Sequence, residues 1–244
     1  MQRYFIELAY NGKDFFGWQM QPNEVSVQEV IEQALFRLHS NTEHKVLGCG
    51  RTDTGVHAHH FVLHVDLPQI DDHAQFLFKM NSMLPDSVAL QNIYEVTSEK
   101  HARFDATERT YRYFIHWRKD PFLNDRSWLL RNEPDFESMN QAANHLIGKQ
   151  DFTSFSKVHT DVKTNICDVR KALWTKTNET TAYFEITADR FLRNMVRATV
   201  GTLIDIGLGK IEPNNLKKIL EAKDRQAAST SVPAHGLFLW KVEY

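Results

Sequence analysis

The residues best suited to chemistry lie in one glycine-rich stretch, residues 48–58, between two segments that read as β-strands. Within it Arg51 supplies a cation, Asp53 a carboxylate, and Thr52 and Thr54 two hydroxyl groups. Glycine gives the backbone turn conformations that other residues resist, and it lets a ligand approach closely. We interpret Asp53 as a catalytic carboxylate. The alternative is that Asp53 and Thr52 only hydrogen-bond their own loop, as in Asx and Ser/Thr turns.

The same region is rich in histidine, which suggests a metal site. The histidines close to Cys49 and Asp53 are His57, His59, His60 and His64. On a β-strand the first two share one face and the last two share the other, so the four cannot converge on one ion. The Cys/His spacing of a structural zinc site is absent. We therefore predict no metal and keep a metal-dependent hydrolase only as a competing hypothesis.

A second set of candidates lies more than fifty residues further along the chain. In segment 111–117, a predicted strand, successive side chains point to opposite faces. Tyrosine and arginine are adjacent in this segment, a pattern typical of surfaces on which nucleic-acid bases stack. Tyr111 opens this segment and is the aromatic residue that we assign to function, whereas Ile115 and Trp117 are expected in the core. Arginines recur at positions 190, 193 and 197 beside an apolar helical stripe, which predicts one basic helix face. An arginine there could pair with Asp53 and hold it ionised and oriented.

The bulk composition places these residues in an ordinary globular protein. The chain has 244 residues, 42% of them hydrophobic, and a formal net charge of -2. It contains no apolar run of about 18 residues, and Glu7 interrupts the N-terminal segment, so we expect neither a membrane span nor a signal peptide. The two cysteines make no disulfide framework, which favours a reducing, cytoplasmic setting.

Positive charge is concentrated in the middle of the chain, between residues 100 and 131. This zone holds eight Lys or Arg and four acids, for a local charge of +4: Lys100, Arg103, Arg109, Arg112, Arg118, Lys119, Arg126 and Arg131 against Asp105, Glu108, Asp120 and Asp125. A local basic zone in a neutral protein fits a groove that holds phosphates. A solvated charged surface is the plainer interpretation.

The elements that must position these residues follow one order twice. The first half reads strand, helix, strand, strand, helix, strand. Its strands are predicted at 3–10, 44–47, 59–65 and 87–96. One helix is predicted after the capping box formed by Ser26 and Glu29, and a second after Asp71 or Asp72. The second half predicts strands at 109–117, 165–176, 182–188 and 236–242, with helices from residue 135 or 136 to Gly148, from about 191 to 207 or 209, and at 214–222.

A repeated βαββαβ order predicts an α+β protein of two ferredoxin-like units with mainly antiparallel sheets joined side by side. A central cleft is expected where the units meet, since such junctions commonly hold ligand sites. We predict an N-terminal unit of residues 1–102 with the Asp53 loop. The C-terminal unit, 103–244, would carry Tyr111 and the arginine helix.

Six segments, taken in order, resemble the TruA family of tRNA pseudouridine synthases. They are 51–58 (RTDTGVHA), 81–85 (NSMLP), 102–113 (ARFDATERTYRY), 151–155 (DFTSF), 191–197 (FLRNMVR) followed by Gly201, and 236–239 (GLFL). Together they span nearly the whole chain. Thr54 departs from the alanine common in the family at that position.

The resemblance implies an isomerase, an intramolecular transferase that converts uridine to pseudouridine at positions 38, 39 and 40 of the tRNA anticodon stem-loop. Asp53 would be the nucleophile, attacking either the uracil ring or the ribose. Arg197 would pair with Asp53, and Arg51 would take the space left by the flipped nucleotide. Tyr111 would stack on the target uracil, and Leu237 would form an apolar wall against it.

The resemblance also implies a cytoplasmic homodimer that acts on tRNA without a cofactor, a metal or a membrane. Gly50 and Gly55 would let an RNA backbone and a flipped nucleotide approach the acid closely. The competing reading is a catalytically inactive RNA-binding module of the same fold, since ferredoxin-like units with aromatic strands often only bind RNA.

Overall fold

A computed structural model describes residues 1–157 and 164–244. Its residues fall into two units, one formed by 1–107 with 238–244 and the other by 108–237. The predicted division between residues 102 and 103 stays a prediction.

The first unit is built on strands β1 to β4 and the C-terminal strand β10. The elements in chain order are β1 (Gln2–Tyr10), α1 (Val27–Leu38), β2 (Leu47–Gly48), β3 (His57–Leu67), α2 (His73–Met83) and β4 (Val88–Val96), and β10 spans Leu237–Glu243. The strand order is β4-β1-β3-β10, with β1 antiparallel to both neighbours and β10 parallel to β3. β1 is thus an interior strand of this sheet.

Both helices of this unit begin where the sequence predicts. The Ser26 hydroxyl accepts a hydrogen bond from the Glu29 N–H at 3.2 Å, and the Asp72 carboxylate accepts one from the Gln75 N–H at 2.9 Å. Such side-chain caps satisfy N–H groups that have no partner inside the helix. The strand predicted at 44–47 is largely wrong, because only Leu47 and Gly48 pair with β3, opposite His64 and Leu63 respectively.

The second unit contains the remaining strands and helices. They are β5 (Glu108–His116), β6 (Trp128–Leu129), α3 (Phe136–Ala143), β7 (Gly148–Asp151), β8 (Ile166–Lys176), β9 (Thr181–Ala188), α4 (Met195–Gly207) and α5 (Asn215–Ala222). Strands β5, β9, β8 and β7 pair in that order and are antiparallel, whereas the short β6 runs parallel to β5. The predicted α+β class with mainly antiparallel pairing is therefore confirmed, and the ferredoxin-like organisation stays a prediction.

The helix predicted from about residue 191 begins later, at Met195. Asn194 adopts a left-handed conformation with φ 67°, which the α-helix cannot continue through. The predicted face shared by Arg190, Arg193 and Arg197 is consequently wrong, because only Arg197 lies on α4. No helix among residues 1–157 and 164–244 is long and apolar enough to cross a membrane.

Candidate active site

Asp53 lies in the loop between β2 and β3, and its side chain is half-buried. On either side of it Thr52 is buried and Thr54 is exposed, and Arg51 is exposed as well. The loop closes on itself through a hydrogen bond from the Val56 N–H to the Asp53 carbonyl at 3.1 Å. The carboxylate is thus presented on a loop whose backbone is fixed, which is a requirement for a nucleophile.

Residues 12–18 hold this loop from the other side. The Trp18 N–H donates to the Thr52 carbonyl at 3.3 Å, and the Gly55 N–H donates to the Phe15 carbonyl at 3.2 Å. Trp18 is itself buried and stacks on Phe61 of β3, with ring centroids 4.1 Å apart. The two chain segments therefore form one hydrogen-bonded unit anchored in the core.

Two glycines make this close approach possible. A Cβ atom on Gly17 would lie 2.4 Å from the Thr52 carbonyl oxygen, and one on Gly12 would lie 2.0 Å from the Val56 carbonyl oxygen. Gly17 also has φ +89°, a conformation that side chains disfavour. By contrast, a Cβ on Gly50 would meet no atom within 4 Å. Gly12 and Gly17 are required by the protein's own packing, and Gly50 is not.

Sequence reasoning missed Tyr10, Gly12 and Gly17 as supports of the Asp53 loop. The Tyr10 phenol oxygen lies 2.8 Å from the Thr52 hydroxyl oxygen. One available signal was the aromatic run at 15–18, in which Phe15 and Trp18 are buried. Contacts of this kind join residues some forty positions apart, and no local pattern encodes such a distance.

The four histidines of this region have separate contacts. His57 stacks on Phe238 and His59 on Trp240, with centroid separations of 4.4 and 4.2 Å. Nδ1 of His60 accepts from the Val242 N–H, and Nδ1 of His64 accepts from the Ala102 N–H, each at 3.1 Å. Among the described residues no group of three or more His, Cys, Asp or Glu side chains could hold a metal ion.

Tyr111 lies near the start of β5, opposite Ile186 of β9. Its ring is half-buried and meets Phe191 edge to face, with centroids 5.0 Å apart. Further along the strand Tyr113 and Ile115 are fully buried, which confirms the core position expected for Ile115. The same expectation for Trp117 is wrong, because this residue follows the end of β5 and is only half-buried. Tyr111 is therefore a partly accessible aromatic ring, packed well enough to have a defined orientation.

Arg197 lies in the first turn of α4, where its side chain is half-buried. Its Nε donates to the Val232 carbonyl at 2.8 Å, and the Val232 N–H donates to the Arg197 carbonyl at 3.2 Å. The segment that contains Val232 also passes close to Gly201, where an added Cβ would lie 2.1 Å from the Thr230 carbonyl oxygen. Residues 230–232 thereby fix the direction of the Arg197 guanidinium.

Leu237 follows a short 3-10 turn, Ala234–Gly236, and only 5% of it is exposed. The turn packs on Tyr113, whose hydroxyl donates to the Pro233 carbonyl at 2.9 Å. A Cβ on Gly236 would lie 2.7 Å from the Tyr113 ring. Burial raises the pKa of the Tyr113 hydroxyl, and the charge of Arg197 opposes that rise. Leu237 thus has a fixed position but offers little open surface.

The predicted basic zone is only partly available to a ligand. Arg112 forms an ion pair with Glu185 at 2.5 Å, and the Arg109 guanidinium donates to the Asp189 carbonyl at 3.0 Å. The members with exposed side chains are Lys100, Arg103, Arg118, Lys119, Arg126 and Arg131. Even so, more than half of the predicted cations face solvent.

The structure brings Arg51 and Asp53 together on one loop of the first unit. Tyr111, Arg197 and Leu237 belong to the second unit, which ends at Leu237, the first residue of β10. Their individual roles stay predictions.

Comparison with known proteins finds similarity along the whole chain. Residues 142–244 match the family described as tRNA pseudouridine synthase. The chain is 50% identical to the tRNA pseudouridine synthase A of Parabacteroides distasonis, over 100% of this chain and 96% of that protein. It is 49% identical to that of Bacteroides fragilis (100% and 97% covered) and 40% identical to that of Bacillus subtilis (97% of each).

A solved structure of Thermus thermophilus Cse3 bound to an RNA matches with a TM-score of 0.23 and 8% identity, covering 85% of this chain and 97% of that one. A similarity this low supports no argument.

Proposed function

Because the chain belongs to the tRNA pseudouridine synthase A family, we propose that it converts uridine to pseudouridine at positions 38, 39 and 40 of the tRNA anticodon stem-loop. The observation that supports this most directly is Asp53, a half-buried carboxylate on a loop that Tyr10, Phe15 and Trp18 hold by hydrogen bonds. A nucleophile held in one geometry reaches the transition state without a further loss of conformational entropy.

In the proposed reaction, a carboxylate oxygen of Asp53 forms a bond either to the uracil ring or to the ribose. The glycosidic C–N bond breaks, the base rotates while the enzyme retains it, and a C–C bond joins C5 of the base to the ribose. The hydrogen on C5 leaves as a proton, N1 of the base takes up a proton, and the bond to Asp53 is released. Nothing is oxidised and no group is lost, so the isomerisation needs no cofactor.

The target nucleotide must leave its stack before Asp53 can reach it. Flipping a base costs a few kcal/mol, and it costs least where the base is unpaired or at a helix end. In our proposal Arg51 fills the vacated space, Tyr111 stacks on the flipped uracil, and Leu237 provides an apolar wall. Arg197 pairs with the Asp53 carboxylate. The exposed Arg51 and the half-buried Tyr111 are compatible with contact to RNA.

The same proposal includes two ferredoxin-like units joined side by side around a cleft, and a cytoplasmic homodimer. An inactive RNA-binding module is not supported, since the full-length relatives carry the name of an enzyme. A metal-dependent hydrolase has no support either, because the histidines have separate contacts.

The test is Asp53→Asn, which keeps the shape of the side chain and removes its nucleophilic charge. We expect tritium release from unmodified tRNA labelled at uracil C5 to fall to background, while tRNA binding, measured by fluorescence anisotropy, stays within about twofold of wild type. Thr54→Ala is the matched control, because this exposed neighbour has no assigned role and should keep full activity. Near-normal activity of Asp53→Asn would refute the assignment of the nucleophile.

A further inference from the structure

A short turn at residues 101–106 carries one of the most exposed aromatic side chains in the described part of the chain. Phe104 is 74% exposed, although Ala102, two residues earlier, is fully buried. A single exposed apolar side chain is ordinary by itself, so a function for Phe104 must be argued from its support and its surroundings.

The backbone of this turn is fixed by several hydrogen bonds. The His101 N–H donates to the Asp105 carboxylate at 2.9 Å, and the Asp105 N–H donates to the His101 carbonyl at 3.1 Å. Both backbone polar groups of Ala102 are hydrogen-bonded. Its N–H donates to Nδ1 of His64 at 3.1 Å, and its carbonyl accepts from the Tyr244 hydroxyl at 2.7 Å. The turn is therefore a rigid support that holds the Phe104 ring away from the core.

The surroundings of the ring suit a nucleotide. The His101 ring packs against Phe104 with centroids 4.3 Å apart, and the Arg103 guanidinium carbon lies 5.7 Å from the Phe104 ring centroid. Exposed aromatic rings bind bases by stacking, and an adjacent guanidinium can bind the phosphate of the same strand. A purely apolar partner would gain nothing from the cation beside the ring.

We propose that Phe104 and Arg103 form an RNA contact, with Phe104 stacking on an unpaired or helix-end base of the tRNA and Arg103 contacting its phosphate. This inference rests on the proposed function, because it takes the substrate to be tRNA. The turn is tied to His64, seven residues along β3 from His57, where the catalytic loop ends. At about 3.4 Å per residue this is roughly 24 Å. The contact therefore positions the tRNA and takes no part in bond breaking.

The experiment compares Phe104→Ala, Phe104→Leu and Phe104→Trp with wild type, using an unmodified tRNA transcript. Stacking predicts that Phe104→Ala raises both KM and Kd by roughly fivefold or more, with kcat unchanged. Phe104→Trp should keep the wild-type KM and Kd, because it keeps an aromatic face. Phe104→Leu should raise both values, as Phe104→Ala does. Arg103→Gln should weaken binding and lower the slope of log Kd against log salt concentration by about one.

Phe78 provides a matched control, since it is 73% exposed on α2. Phe78→Ala should leave KM and Kd unchanged. If Phe104→Ala behaves like Phe78→Ala, or if leucine restores binding as well as tryptophan, the stacking contact is refuted. A change of oligomeric state in Phe104→Ala, seen by sedimentation equilibrium without a change in Kd, would refute it in favour of a contact between two copies of the chain.

The binding measurements do not depend on catalysis. If wild type forms pseudouridine but Phe104→Ala binds tRNA normally, this inference fails and the proposed function stands. If wild type binds tRNA through Phe104 but forms no pseudouridine, the proposed function fails and this inference stands.

Discussion

The phenol oxygen of Tyr10 lies 2.8 Å from the hydroxyl oxygen of Thr52, the residue directly before Asp53. Both residues are buried, at 4% and 8% exposure. Tyr10 ends β1, which pairs with β3 on one side and β4 on the other. This contact therefore joins the catalytic loop to an interior strand, so the position of Asp53 depends on the sheet as well as on the loop.

Replacing Tyr10 by phenylalanine should lower both stability and turnover. The change removes a hydroxyl from a buried pair, and losing a buried hydrogen-bond partner costs about 1–3 kcal/mol. We expect a lower free energy of unfolding in urea and a lower kcat, with tRNA Kd unchanged. Tyr94→Phe is the control, because the Tyr94 hydroxyl makes no hydrogen bond within residues 1–157 and 164–244. Equal effects of the two substitutions would contradict this role of the Tyr10–Thr52 pair.

Two glycines of the same region should respond differently to alanine. Gly17→Ala would place a Cβ 2.4 Å from the Thr52 carbonyl in a backbone with φ +89°, so we expect the melting temperature and the activity to fall together. A Cβ atom on Gly50 would meet no atom within 4 Å, so the melting temperature of Gly50→Ala should equal that of wild type. If Gly50 serves the approach of RNA, that variant should nevertheless show a higher KM. A Gly50→Ala variant with wild-type kinetics would show that RNA does not need this glycine.

The sequence was sufficient for the secondary-structure class and for most of the longer elements, because these depend on periodicity and capping, but not for the short strands β2, β6 and β7. The starts of α1 and α2 followed from Ser26 and Asp72, whose side chains accept the first N–H groups. The start of α4 did not follow, because the left-handed Asn194 interrupts a run whose apolar spacing continues through it. That single residue also invalidated the predicted arginine face.

The candidate residues could be chosen from the sequence, but their supports could not. Asp53 and Arg51 stand out by type and by their glycine-rich setting. Tyr10 and Gly17 gave no comparable signal, since a tyrosine at a strand end and a glycine between aromatic residues have many uses. Their role depends on contacts across the fold, which are visible only in three dimensions.

Full activity should require both the charge and the planar guanidinium group of Arg197. Its Nε donates to the Val232 carbonyl, so lysine would keep the charge and lose this anchored geometry. If Arg197 orients the nucleophile, Arg197→Lys should lower kcat by about tenfold or more while tRNA Kd is kept. Arg193→Lys is the control, because Arg193 is exposed and lies outside α4. A similar loss in both variants would indicate a general contribution of positive charge.

Protonation of His64 should lower the free energy of unfolding in mild acid. Burial, followed by repulsion from His101 and Arg3, lowers the pKa of His64 from 6.5 to about 4, although Asp66 and Asp105 act in the opposite direction. The unfolded chain therefore takes up this proton first as the pH falls. The stability that the neutral ring contributes is present above pH 6.5, is lost between pH 6.5 and about 4, and amounts to no more than about 3 kcal/mol.

The neutral ring is required because Nδ1 of His64 accepts the Ala102 N–H, which an imidazolium cannot do. His64→Asn supplies an amide oxygen that can accept the same hydrogen bond without titrating. Urea unfolding at pH 7 and pH 4.5 should show a smaller loss of stability in this variant than in wild type. His145→Asn should keep the full wild-type loss, since the His145 ring makes no hydrogen bond or ring contact among the residues that the structure describes. An unchanged acid loss in His64→Asn would mean that other groups cause it.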